Sequence, residues 1–88
     1  MAKISKIAQA GSVESCDILV TLEPGEGISI ELASDVLIQF GDAIRGVIAE
    51  SLATRGITDC KVIAVDKGAL DYTIRARMEA ALTRALQD

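Results

Sequence analysis

From Ile18 onward the chain alternates, with Ile18, Val20 and Leu22 separated by Leu19, Thr21 and Glu23. This is the two-residue period of a strand with one face turned to a core. Pro24-Gly25-Glu26-Gly27 concentrates turn formers, and Ile28, Ile30 and Leu32 then alternate with Ser29 and Glu31. Two such runs joined by a turn predict an antiparallel hairpin with one buried face. Ser34 or Asp35 is placed to cap a following helix, because a side-chain oxygen there accepts from the free amides of the first turn. In that helix Leu37, Phe40, Ile44, Val47, Ile48 and Leu52 recur at steps of three and four and form one apolar stripe, which Gly56 ends. Gly41 and Gly46 oppose helix propensity by about 1 kcal/mol each, which means either a lower local stability or, the favoured reading, a neighbouring backbone that packs closely.

Cys60 to Val65 is too apolar for a half-exposed strand and reads as a central one, covered on both faces over part of its length. Asp66-Lys67-Gly68 turns the chain. Asp71 is then a first-turn acid for a second helix, with Ile74, Met78, Ala81, Leu82 and Ala85 inward and Arg84 suited to the negative end of its dipole. Residues 1–10 fit neither period and are expected to be a frayed terminus or an edge strand. The order strand, strand, helix, strand, helix predicts an α+β fold: a two-layer sandwich in which two helices pack on a small, mostly antiparallel sheet. Residues 1–88 are expected to form a single domain, with Ile44 and Ile63 in its core.

Composition narrows the chemistry. Half of the residues are hydrophobic but Phe40 and Tyr72 are the only aromatics, so the core is aliphatic. Nine basic residues scattered among thirteen acidic ones, for a net charge of −4, do not make the basic stripe that nucleic acid requires. No apolar run approaches the roughly 20 residues of a membrane span, and no long apolar segment follows Met1 to Lys6, so a cytoplasmic protein is expected. Cys16 and Cys60 lack C-x-x-C spacing and the chain has no histidine, so reduced thiols are expected in place of a zinc site. The missing histidine also removes the common Ser-His-Asp and Cys-His arrangements. A chain this poor in catalytic bases is expected to need partners.

The loop Ala10-Gly11-Ser12-Val13-Glu14-Ser15-Cys16-Asp17 places a glycine, two hydroxyls, a thiol and two carboxylates within eight residues. Gly11 opens backbone angles closed to other residues, and Ser and Asp favour turns, so an exposed connector is expected. On these grounds Ser12 and Ser15 are equally reachable. Glu14 and Asp17 read as solvated carboxylates or as recognition groups. Arg45, Arg75 and Arg77 read as solvated or ion-paired side chains, or as docking contacts.

The segments AGSVESCD, FGDAIR and DKGALDYTIRARMEAAL, in this order and spacing, resemble the acyl carrier protein, or gamma subunit, of citrate lyase. The likeness runs from about Ala10 to Ala85. It implies a non-catalytic carrier whose Ser15 holds, through a phosphodiester, the prosthetic group derived from 2'-(5''-triphosphoribosyl)-3'-dephospho-CoA, with Ser12 at the family's Ser/Thr position. It also implies a prosthetic-group transferase and the acyltransferase (alpha) and lyase (beta) subunits as partners, with no nucleic acid, membrane or metal. The helical carriers of fatty-acid synthesis differ, since their Asp-Ser-Leu at a helix start does not occur here. The related carrier subunit of malonate decarboxylase is the nearest alternative, and an unmodified interaction module is a more distant one.

Overall fold

The structure, a computed structural model, describes residues 2–87; Met1 and Asp88 lie outside the described residues. Its elements run β1 (Ala2–Lys3), β2 (Ala8–Gly11), β3 (Ile18–Glu23), β4 (Ile28–Ser34), α1 (Leu37–Thr54), β5 (Ile57–Asp66) and α2 (Asp71–Leu86). The order expected from the pattern is present, with two short strands added before it. Residues 8–11 form the edge strand that was one of the two readings of the N-terminal segment.

The α+β two-layer class holds, but the hairpin does not lie where the alternation places it. β3 and β4 do not pair with each other; both flank β5, β3 antiparallel (Ile18↔Asp66 to Glu23↔Lys61) and β4 parallel (Ile28↔Cys60 to Ser34↔Asp66). The sheet is therefore mixed, and the antiparallel hairpin is β2 with β3 (Ala8↔Leu22 to Gly11↔Leu19). The physical reason lies in the turn. Pro24 to Gly27 spans the two inter-strand spacings, roughly 10 Å, that separate β3 from β4. It passes so close over the middle of β5 that a Cβ on Gly25 would stand 3.2 Å from the Lys61 amide nitrogen. The apolar β5 needs two neighbours, and this connection makes room for both. β4 becomes an edge, with Ile28 exposed and Ile30 and Leu32 only half-buried.

Both helices cover one face of the sheet. The core joins Ile18, Val20 and Leu22 of β3 and Cys60, Val62 and Ala64 of β5 to Ile44, Val47, Ile48 and Leu52 of α1 and to Ile74, Met78, Ala81, Leu82 and Ala85 of α2. The inner face of α2 is thus the one its spacing predicts. Among the described residues the other face of the sheet carries no helix, so Ile63, expected in the core, is only half-buried. The stripe of α1 is also shorter than expected. Leu37 and Phe40 are exposed because the first turn of α1 begins beyond Ser34, the end of β4, and overhangs the loop before α2.

Neither Ser34 nor Asp35 caps α1. Val36 takes the N-cap position without a side-chain hydrogen bond, and the Ser34 hydroxyl instead accepts from the Val36 amide and donates to Asp66. The close packing expected at the helix glycines is absent at Gly46, where a Cβ would meet nothing. At Gly41 it would meet the helix's own Leu37 side chain at 3.1 Å. Gly56 follows α1 in the left-handed region, as a helix stop requires (φ 68°).

Candidate functional site

The β2–β3 hairpin ends in residues 12–17, and Gly11 sets its shape. Its φ is 97°, and a Cβ there would lie 1.8 Å from the Ile18 carbonyl oxygen, so no other residue fits. Within the tip the Ser12 hydroxyl donates to Asp17 Oδ2 (2.7 Å) and accepts from the Glu14 amide (3.2 Å), while Asp17 Oδ1 accepts from the Ile18 amide (2.7 Å). From α2, Arg77 closes on the same carboxylate, with Nε donating to Oδ1 and Nη2 to Oδ2, each at 2.9 Å. The hydrogen bond from Arg77, then that from Ser12, hold the Asp17 carboxyl well below the usual range, with the Ile18 amide adding to them. The same bond holds Arg77 above its ordinary value.

The main chain is anchored as well. The Cys16 amide donates to the Lys67 carbonyl (2.8 Å), and the Lys67 amide donates to the Asp17 carbonyl (2.9 Å). These bonds keep Cys16 at a φ of 65°, a left-handed conformation that costs a residue with a side chain about 1–2 kcal/mol. Lys67 is held from behind by buried Asp66, which accepts from the Ser34 hydroxyl (2.8 Å), the Gly68 amide (3.2 Å) and the Ala69 amide (3.0 Å).

These contacts separate the two serines. Ser12 is half-buried and its hydroxyl is engaged on both sides, whereas Ser15 is exposed and its hydroxyl makes no hydrogen bond among the described residues. Asp17 is neither a solvated carboxylate nor a free recognition group; it is the internal anchor of the tip. Arg77 is its partner, and Arg75 is paired with Glu50 at 2.6 Å. Nothing in the pattern of a single chain joins Asp17 to Arg77, sixty positions apart. Cys16 and Cys60 are free thiols, the first exposed and the second buried, and burial pushes the Cys60 thiol up. Among the described residues no group of three acidic or thiol side chains is arranged to hold a metal ion, and no helix is long and apolar enough to cross a membrane.

The tip shares its end of the molecule with the start of both helices, and the surface there is apolar. Val13, Leu37, Ile38, Phe40, Leu70 and Tyr72 are exposed at this end, six of the nine large exposed hydrophobic side chains among the described residues, and Ile38 is 97% exposed. Beside the tip, Val36, Phe40, Ala43, Ile44, Gly68, Ala69, Leu70 and Asp71 line a groove of about 340 Å³.

A protein-family model described as "Malonate decarboxylase delta subunit (MdcD)" matches residues 5–85. A curated relative from Weissella paramesenteroides, named citrate lyase acyl carrier protein, is 53% identical over 96% of this chain and 88% of its own length. The chain belongs to the citrate lyase acyl carrier protein family. Relatives of the same name from Streptococcus equi subsp. zooepidemicus (strain MGCS10565; 51% identity, 94% of this chain and 83% of the relative) and Haemophilus influenzae (strain PittGG; 45%, 98% and 90%) agree. A chain in the crystal structure of a Pseudomonas malonate decarboxylase hetero-tetramer in complex with malonate matches with a TM-score of 0.82, over 94% of this chain and 87% of that chain. At 22% identity that likeness shows the α+β fold. The curated relatives named here, at 45–53%, carry the citrate lyase name.

Proposed function

We propose that this chain, acting over residues 1–88 as one carrier domain in the cytoplasm, is the acyl carrier subunit of citrate lyase, with Ser15 as the attachment residue. The observation that supports it most is the contrast at the hairpin tip. In a member of this family, the Ser15 hydroxyl is exposed and unbonded on a loop held rigid by Asp17, Arg77 and Lys67, while Ser12 is spent on that scaffold. The residues fit a phosphodiester-linked group. An exposed alcohol can attack phosphorus, the exposed neighbours Glu14 and Cys16 leave room for the product, and the tip is braced without using Ser15.

A transferase would form the bond from Ser15 Oγ to the phosphorus next to the ribose. The bond to the departing diphosphate would break, and the hydroxyl proton would pass to the transferase. The attached group, derived from 2'-(5''-triphosphoribosyl)-3'-dephospho-CoA, supplies a terminal thiol that holds acetyl or citryl as a thioester between the acyltransferase and lyase subunits while citrate is cleaved to oxaloacetate and acetate. The chain's own part is to hold the tether at a defined place, which raises the local concentration of the carried unit at each active site. Glu14 stands one residue from the tether. Repulsion between two unit charges about 7 Å apart in water is only about 0.6 kcal/mol, comparable to thermal energy: a slight bias against lying along the loop and too little to disturb it.

The test is intact mass after co-expression with the modifying enzymes, followed by fragment mapping, for the parent, Ser12→Ala and Ser15→Ala. Parent and Ser12→Ala should gain an adduct heavier than phosphopantetheine, and Ser15→Ala should gain none while its stability moves by no more than about 0.5 kcal/mol. An adduct that persists in Ser15→Ala and vanishes in Ser12→Ala would move the site to Ser12. No adduct on any of the three, with active modifying enzymes, would favour an unmodified interaction module.

A further inference from the structure

We propose that the groove between α1 and the loop before α2 seats the purine base of the attached group, with Phe40 as its stacking platform, an inference that rests on Ser15 being the attachment residue. The groove and the tip are parts of one scaffold. Lys67 exchanges hydrogen bonds with Cys16 and Asp17, and its chain neighbour Gly68 begins the groove wall. The backbone path from Ser15 to Gly68 is therefore at most about 13 Å. Two sugars and a phosphate separate the Ser15 oxygen from the base, which gives the base that reach.

The chemistry of the lining selects the base over the rest of the group. The groove is built from Val36, Phe40, Ala43, Ile44, Gly68, Ala69 and Leu70, with Asp71 as its one charged side chain. The uncapped start of α2 attracts anions, but Asp71 in that first turn and the chain's net charge of −4 counter it, so phosphate gains little there. The purine is uncharged and planar, and it is the one aromatic part of the group. Phe40 is one of two aromatic residues in the chain and leaves 56% of its surface to solvent; Leu70, also in the lining, leaves 58%. Both are costly to expose unless something covers them, and a base stacks on any open aromatic face. The Asp71 carboxylate supplies an acceptor for the exocyclic amino group of adenine. At about 340 Å³ the groove lies at the small end of the roughly 300–1,000 Å³ range of small-ligand sites, too small for the whole group and sufficient for its base. The thiol end would then swing from a base fixed in the groove, a shorter and better aimed lever than one pivoting at Ser15.

The experiment uses the isotope-labelled full chain before and after enzymatic loading, with loading verified by intact mass, for the parent, Phe40→Ala and Phe40→Trp. Loading should shift the amide resonances of Gly68, Ala69 and Leu70 and give nuclear Overhauser contacts between the Phe40 ring and H2 or H8 of adenine. Phe40→Ala, at an exposed position, should load fully yet lose at least two-thirds of the Gly68 to Leu70 shifts, and Phe40→Trp should keep them. A fully loaded parent whose shifts stop at residues 12–17, or whose groove contacts the pantetheine methyls in place of the base, would overturn the proposal and leave Ser15 standing. Groove resonances that respond only to added acyltransferase or lyase subunit would overturn it in favour of a docking surface. Absence of any adduct would remove both the groove assignment and the Ser15 assignment.

Discussion

Replacing Arg77 with alanine should loosen the hairpin tip and leave the core intact. The guanidinium makes two charge-assisted hydrogen bonds of 2.9 Å to Asp17. The Asp17 side chain is only 14% exposed, so the variant keeps a largely buried carboxylate served by Ser12 and the Ile18 amide alone. Hydrogen bonds to a charged group contribute about 1.5–3 kcal/mol. Arg77 is 42% exposed, and solvent screening reduces the loss to about 1–2 kcal/mol. In a chain of this size that lowers Tm by about 5–12 °C at neutral pH. The pH dependence has a definite sign. Asp17 titrates well below the usual range when folded and near about 3.9 when unfolded, so its stabilisation is whole above about pH 5 and falls as pH drops below the unfolded value toward the folded one. Urea titrations of parent and variant should show a gap at about pH 7 that narrows by about pH 3. Faster amide exchange at Cys16 and Asp17 in the variant would locate the loss at the tip. Equal stability at neutral pH, or a gap unchanged at low pH, would refute the clasp.

Three further outcomes follow from the same geometry. Gly11→Ala should lose at least about 2 kcal/mol in chemical denaturation, because it places a Cβ against the Ile18 carbonyl at a φ of 97°; a neutral result would contradict the tight hairpin end. Ile48→Ala should lose about 3 kcal/mol and Ile63→Ala about 1 kcal/mol, since the first is fully buried beneath α1 and the second faces the uncovered side of the sheet; equal losses would mean that this side is packed after all. A thiol reagent should label Cys16 rapidly in the native chain and Cys60 only on unfolding, because burial both shields the Cys60 thiol and disfavours its thiolate; two fast reactions would count against the β5 core assignment.

Periodicity located the elements whose stability comes from one buried face. The alternation from Ile18 to Leu22 and the three-four spacing from Ile74 to Ala85 each mark a face that the structure buries. What periodicity cannot carry is which strand lies next to which. A turn of four residues serves equally for pairing β3 with β4 and for stepping over β5, and only the three-dimensional demand of β5 for two neighbours decides. Leu37 and Phe40 continue the apolar spacing of α1 beyond the end of the sheet, so spacing alone counts them as core. At the tip, Gly11 was legible because a steric need has a single-residue solution. Ser12 and Ser15 look alike in the local chemistry; that Ser12 alone is engaged depends on Asp17, and Asp17 is committed by an arginine on a distant helix. The resemblance to a known carrier family pointed to Ser15 where local chemistry did not.

β3 begins, β4 and β5 end, and both helices start at the pole that holds Ser15. The first and last described residues, Ala2 beside the start of β5 and Gln87 beyond the C-terminal end of α2, belong to the opposite pole. α2 alone separates the two poles by about 24 Å, the rise of its sixteen residues. The chain is therefore a tool with a handle and a tip. A dye, a bead or a fused protein attached at Gln87 would sit at the end away from Ser15, and a layer of such chains anchored there on a sensor would present every Ser15 toward the solution.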